Sequence, residues 1–124
     1  MASLMAPHRL LGTATLDAFG AGVAVLTLIG EFHHRETREL VKALGDGLDG
    51  SYRHLVVDMR GVDVFGAMGL RALVKGCLRA RERGIGFALV RPHRDVWKAF
   101  ELTFLDEQLT NAPSLEDAIA ALQG

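Results

Sequence analysis

Residues 55–73 read LVVDMRGVDVFGAMGLRAL, and the order of side chains in this stretch decides the fold. Leu55-Val56-Val57 is an apolar, largely β-branched run that suits a strand buried on both faces. Asp58 and then Gly61 favour turns, so the strand is expected to end there. Gly66-Ala67-Met68-Gly69 follows as a hinge of mostly small residues. Beyond it Leu70, Leu73, Val74, Cys77 and Leu78 recur at helical spacing. The stretch therefore predicts strand, tight turn, helix. A turn in that position lies where a helix N-terminus directs its free N–H groups outward, a place suited to an anion or a partner.

Working outward, the pattern repeats. Val23 to Ile29 (VAVLTLI) reads as a buried strand. Before it, Leu10 to Leu16 alternates weakly, and the turn residues of Asp17 to Gly22 join the two as an antiparallel hairpin. Gly30-Glu31-Phe32 is expected to end the second strand. A helix over Glu36 to Leu48 follows, with Leu40, Val41, Leu44 and Leu48 as its apolar stripe and Gly45, Gly47 and Gly50 weakening and ending it. The central strand, Arg53 to Met59, then pairs in parallel with Val23 to Ile29 through a right-handed crossover.

The second helix runs from Ala67 to Arg83, thin on one side at Gly69, Ala72, Gly76 and Ala80. Arg71, Lys75 and Arg79 form a basic stripe along it, read as a solvated face. Phe87 to Val90 is a third parallel strand. Pro92 is placed at the start of a helix carrying Val96, Trp97 and Phe100, with Trp97 turned toward the rim, and this helix ends near Thr103. Leu109 to Ala112 reads as a short edge strand. Ser114 and Asp117 have capping-box spacing ahead of a last helix with Leu115, Ala118, Ile119 and Leu122 on its apolar face. The fold class is α/β: a mixed five-stranded sheet with a parallel centre and about four helices. Residues 1–9 are expected to be a flexible tail and residues 10–124 a single domain.

The order of these motifs resembles the STAS domain of bacterial anti-sigma factor antagonists. That family reads as a hydrophobic strand, D-x-x-G-V-D, a hydrophobic pair and D-S-S-G-L. Here Val56-Val57-Asp58, Gly61-Val62-Asp63-Val64-Phe65 and Gly69-Leu70 keep the frame, whereas Gly66, Ala67 and Met68 replace D-S-S. One of the two serines is the family's phosphorylation site, so the resemblance implies a chain without the acceptor. Two further departures fall near the same face. The family's G-E-L-D reads Gly30-Glu31-Phe32-His33, and its T-G-L reads Thr103-Phe104-Leu105. A glycine there would allow a left-handed cap that Phe104 reaches only at steric cost, so an altered helix end is expected.

The resemblance implies a binding module. Its partner is an anti-sigma factor with a kinase-type ATP-binding domain, which releases its sigma factor when the antagonist docks and ends the association by phosphorylating the serine. The implied partner-binding residues here are His33, Gly66, Ala67, Met68, Gly69 and Arg71. The competing reading is a STAS-fold scaffold, or a sensor holding a small ligand near His33 and His93 at one rim of strand ends.

Bulk properties agree with a binding module. The 124 residues are 49% hydrophobic and 23% charged, with a formal net charge of -1, so general affinity for nucleic acid is not expected. The apolar runs are too short to span a membrane and no long apolar h-region is read near the start, so a cytoplasmic location is expected. A homodimer is compatible with the sequence. No phosphate-cradling glycine loop, G-x-S-x-G elbow, H-E-x-x-H or C-x-x-C occurs, so no catalytic residue, cofactor or metal is assigned. Cys77 is read as a small core residue, and Asp58 and Asp63 as turn residues.

Overall fold

The computed structural model describes residues 11–20 and 22–124, so the expected tail at 1–9 lies outside the described residues. The chain forms β1 (Thr13–Ala18), β2 (Val23–Phe32), α1 (Thr37–Asp49), β3 (His54–Phe65), α2 (Ala67–Glu82), β4 (Gly86–Val90), α3 (Arg94–Leu102), a 3₁₀ turn (Asp106–Gln108), β5 (Thr110–Ala112) and α4 (Leu115–Gln123). The five strands lie in sequence order in one sheet. Only β1 is antiparallel to its neighbour, and the other pairings are parallel.

Parallel neighbours in sequence order require a crossover helix at each step, and a constant right hand puts those helices on one face. Leu40 and Leu44 of α1, Leu73 and Cys77 of α2, and Val96 and Phe100 of α3 indeed share one core with Leu26, Leu28, Leu55, Val57 and Leu89 of the sheet. Alternate residues turn the other way. Val23, Val25, Val56, Ala88 and Val90 form a second, smaller core closed by Ala118 of α4. Val56 and Val57 are both fully buried, on opposite faces, as the β-branched run predicts. The capping-box reading holds for the serine: the Asp117 amide donates to Ser114 Oγ at 3.1 Å.

The central strand does not stop at Asp58 or Gly61. It continues to Phe65, and β2 continues beside it past Ile29 to Phe32. The register explains how. Thr27 pairs with Asp58 but Ile29 with Gly61, and Gly30 pairs with Val62 but Glu31 with Val64. At each shift β3 carries one extra residue, which is a bulge. The first bulge frees the Arg60 amide from the ladder, and Asp58 Oδ1 accepts it at 3.1 Å. The Arg60 guanidinium folds back on the same carboxylate, with Nη2 2.7 Å from Oδ2. That hydrogen bond, with the attraction between the charges, raises Arg60 above its ordinary value. Asp58 is therefore a buried bulge ligand and not a turn residue.

Other expectations shift in smaller ways. Val41 is half-exposed, and Ala43 and Gly47 take its place in the buried stripe of α1. Leu78 of α2 is likewise exposed. Pro92 precedes α3 without entering it. The N-cap is His93, whose Nδ1 accepts the Asp95 amide at 3.2 Å.

The end of α3 keeps the left-handed cap, and the altered helix end expected from the steric cost at Phe104 is not found. Phe104 has φ +59°, the Leu105 amide donates to the Phe100 carbonyl at 3.0 Å, and the Phe104 amide donates to that of Glu101 at 3.1 Å. This is a Schellman ending with phenylalanine in the glycine position. Burial of both Phe100 and Leu105 holds the chain in that path, against a backbone cost of about 1–2 kcal/mol. The Phe104 ring itself is 76% exposed, so its removal forfeits little packing. Phe104→Gly should therefore stabilise the fold by about 0.5–1 kcal/mol after the added freedom of the unfolded chain is subtracted. A higher urea midpoint at unchanged slope is the expected reading.

Candidate functional site

The long β2–β3 ribbon ends in two phenylalanines. Phe32 and Phe65 are paired in register, with ring centroids 5.6 Å apart and planes tilted by 55°. Immediately beyond them the Gly66 amide donates to the Phe32 carbonyl at 2.8 Å, which ties the hinge to the end of β2. Gly66 is the N-cap of α2 and supplies no side-chain acceptor to the first turn. Ala67 and Met68 are exposed on that turn, and Gly69 is buried. A Cβ on Gly69 would lie 3.1 Å from the Phe65 ring, so a glycine there lets the helix sit directly on the aromatic pair. The hinge thus presents Ala67 and Met68 outward, held from beneath by Phe65.

The loop after β2 is a compact turn. The His33 amide donates to Glu36 Oε1 at 3.1 Å, and Thr37 Oγ1 donates to the His33 carbonyl at 2.9 Å. The His33 ring lies 2.9 Å from Glu31 Oε1 and so faces back along its own strand. The residue that reaches the hinge is its neighbour: His34 Nδ1 meets Met68 Sδ at 2.8 Å. The sequence reading places both histidines after the second strand but names only His33 for the partner surface, whereas His34 is the one that touches the hinge. Nothing in a His-His pair says which ring turns toward a hinge 34 residues away.

The sequence-predicted residues Gly66, Ala67, Met68, Gly69 and Arg71 lie together at the start of α2, with Gly69 buried beneath the others, and the His33–His34 loop adjoins them through His34. Met68 and Arg71 also line a groove between α1 and α2, with Thr37, Val41, Leu44, Gly45 and Leu48 on the opposite wall. Lys75 and Arg79 continue the α2 wall, so the basic stripe borders a concave surface and does not merely face solvent. His93 is elsewhere. β4 ends with Val90 opposite Asp58, seven β3 residues before Phe65, so the rim expected to join His33 and His93 is not formed. Among the described residues no cluster of three or more His, Cys, Asp or Glu could hold a metal ion, and no helix is long and apolar enough to cross a membrane.

This fold is that of a known family. The family model for the STAS domain matches residues 19–118, and the chain belongs to that family. A search of curated proteins gave no match. Among solved structures, an anti-sigma factor antagonist from Mycobacterium paratuberculosis is similar at TM-score 0.75 and 27% identity, over 91% of this chain and 95% of its own. The phosphorylated Bacillus cell fate determinant SpoIIAA is similar at TM-score 0.75 and 15% identity, over 88% and 98%. RsbS of Moorella thermoacetica is similar at TM-score 0.73 and 18% identity, over 89% and 94%. The last two share the fold. The chain is an anti-sigma factor antagonist-like STAS domain.

Cys77 contributes no reactive group to this surface. It is 3% exposed in the main core, and burial pushes its thiol up to about 11, with Arg81 pulling weakly the other way. The raised value means that the folded chain favours the neutral thiol. The resulting stability is fully present below the ordinary thiol value of 9.0 and is lost as the pH rises toward 11. At pH 8 a disulfide reagent should leave the native protein unlabelled over the time in which it labels the urea-unfolded chain completely. Labelling of native protein at the unfolded rate would place the thiol at the surface.

Proposed function

We propose that this chain is a protein-binding regulator of transcription that docks on an anti-sigma factor with a kinase-type ATP-binding domain, without the phosphoryl acceptor that would end the association. The observation that carries the reading is the hinge at residues 66–69. It has the exposed position expected of a docking turn, yet Gly66, Ala67, Met68 and Gly69 carry no hydroxyl. The docking surface comprises His33 and its loop, Gly66, Ala67, Met68, Gly69 and Arg71. Similarity to an anti-sigma factor antagonist at 27% identity over nearly the whole chain supports the partner class.

The physical logic follows from the charge of the hinge. A phosphate there would add about two negative charges and new bulk to the contact surface. A neutral hinge resembles the unphosphorylated, binding-competent state, and Met68 adds a flexible apolar contact that adapts to a partner. Binding is then constitutive, and control falls to abundance or to competition. A scaffold or ligand-sensing module is the rival reading, and recovery of a kinase-like anti-sigma factor in a pull-down from native extract separates the two.

Met68→Asp tests the surface without threatening the fold. Position 68 is exposed in the first turn of α2, where an acidic side chain suits the helix dipole. The variant should unfold at the wild-type midpoint or above it. Its affinity for the captured partner should fall about tenfold or more, as for loss of one interface anchor. Equal affinity removes the hinge from the interface. Incubation with ATP and the captured kinase should leave the chain unmodified by mass spectrometry. Stoichiometric phosphate on Ser51 or Thr103 with loss of binding would reveal a relocated switch.

A further inference from the structure

The groove between α1 and α2 has the features of a ligand site. Its volume is about 400 Å³, within the range of small-molecule pockets. Val41, Leu44 and Leu48 give it an apolar wall, and Val41 is 53% exposed along it. Gly45 and Gly76 withhold side chains on the two sides. A Cβ on Gly76 would only touch Leu44, and one on Gly45 would meet nothing nearer than Asp49 Oδ2 at 4.0 Å. Gly76 lets α2 approach Leu44 closely, and the absent side chain at Gly45 leaves the α1 wall open.

Charge is distributed unevenly around it. At one end Asp49 pairs with Arg79 at 2.8 Å and also with Arg83, and Arg83 donates to the Leu48 carbonyl at 3.0 Å. At that end one carboxylate is already shared between two guanidinium groups. Toward the other end Arg71 and Lys75 have no carboxylate within ion-pair distance among the described residues. The groove thus joins an apolar trough to two uncompensated cations.

The lining runs from Thr37 to Leu48 on α1 and from Met68 to Arg79 on α2, about 16 Å of helix. An apolar trough of that length with those two cations toward one end complements an extended alkyl chain that carries an anionic head.

We infer that the α1–α2 groove binds a free long-chain carboxylate. Its head pairs with Arg71 and Lys75, and its chain lies over Val41, Leu44 and Ala72 toward Leu48. Apolar contact supplies the drive and the two cations set the orientation. The site shares Met68 and Arg71 with the proposed docking surface but does not rest on that reading.

The test is a titration of the full chain with submicellar sodium decanoate, followed by backbone amide NMR. Saturable shifts should map to α1 and α2 around the groove. Butyrate, which lacks the chain, and decyltrimethylammonium, which reverses the charge, should not saturate. Gly45→Leu fills the trough with a better helix former and should abolish binding. Arg71→Glu with Lys75→Glu should weaken it about tenfold or more and reduce its sensitivity to salt. Circular dichroism checks both folds, and the charge variant carries the test if Gly45→Leu does not fold. No saturation by decanoate, undiminished binding in a folded variant, equal binding of the cationic surfactant, or occupation of the groove by an acidic amphipathic peptide in preference to decanoate would each overturn the assignment. A chain that ignores decanoate yet captures its protein partner overturns this site alone.

Discussion

The Asp58 carboxylate is the constraint on which the working end of the molecule depends. An extra residue in β3 leaves the Arg60 amide without a strand partner, and an orphan donor at the edge of a core is costly. Asp58 accepts that amide and takes the Arg60 guanidinium as its counter-charge, so neither group is left unsatisfied. With the bulge satisfied, β2 and β3 run on together beyond the end of β4. From Asp58 to Phe65 the ribbon gains roughly 20 Å of strand rise. It carries Phe32, Phe65 and the hinge away from the loop that holds His93. The candidate surface exists as a projection because one carboxylate tolerates an irregular ladder.

Much of this fold was legible in the sequence because burial writes a period into it. Leu55-Val56-Val57 requires cover on both faces, and the two cores supply it. The Ser114 cap and the order of strands and helices were equally readable. The strand end was not. Asp58, Gly61 and Asp63 are turn formers by local preference, and only the register shows that here they serve bulges inside a strand. Phe104 was misread for a similar reason. A local steric rule forbids it little when Phe100 and Leu105 are both buried and fix the chain path between them. In each case the tertiary arrangement outweighed a cost of one or two kcal/mol per residue.

The hinge divides along the same line. That residues 66–69 begin a helix after a buried strand was plain from their spacing. That Gly69 must stay small because it rests on the Phe65 ring, and that His34 and not His33 touches Met68, are facts about the path of two loops. The groove was hidden because its elements had other readings. Arg71, Lys75 and Arg79 looked like a solvated stripe, and Gly45 looked like a weak point in α1. Their meaning changes once the helices pack side by side.

The electrostatics of this face link the hinge to the groove. The N-terminus of α2 directs its free N–H groups outward with no side-chain cap, and Arg71 and Lys75 follow within its first three turns. Helix dipole and cations have the same sign there, while the chain as a whole carries a formal charge of -1. A phosphorylated hinge would place its negative charge directly in this field and so neutralise it. Gly-Ala-Met-Gly cannot, and the field stays open to an anion supplied from outside. A carboxylate in the groove and an acidic patch on a docking protein would draw on the same positive charge. Met68 and Arg71 belong to both proposed surfaces, so an occupant of one would alter the field and the shape that the other presents.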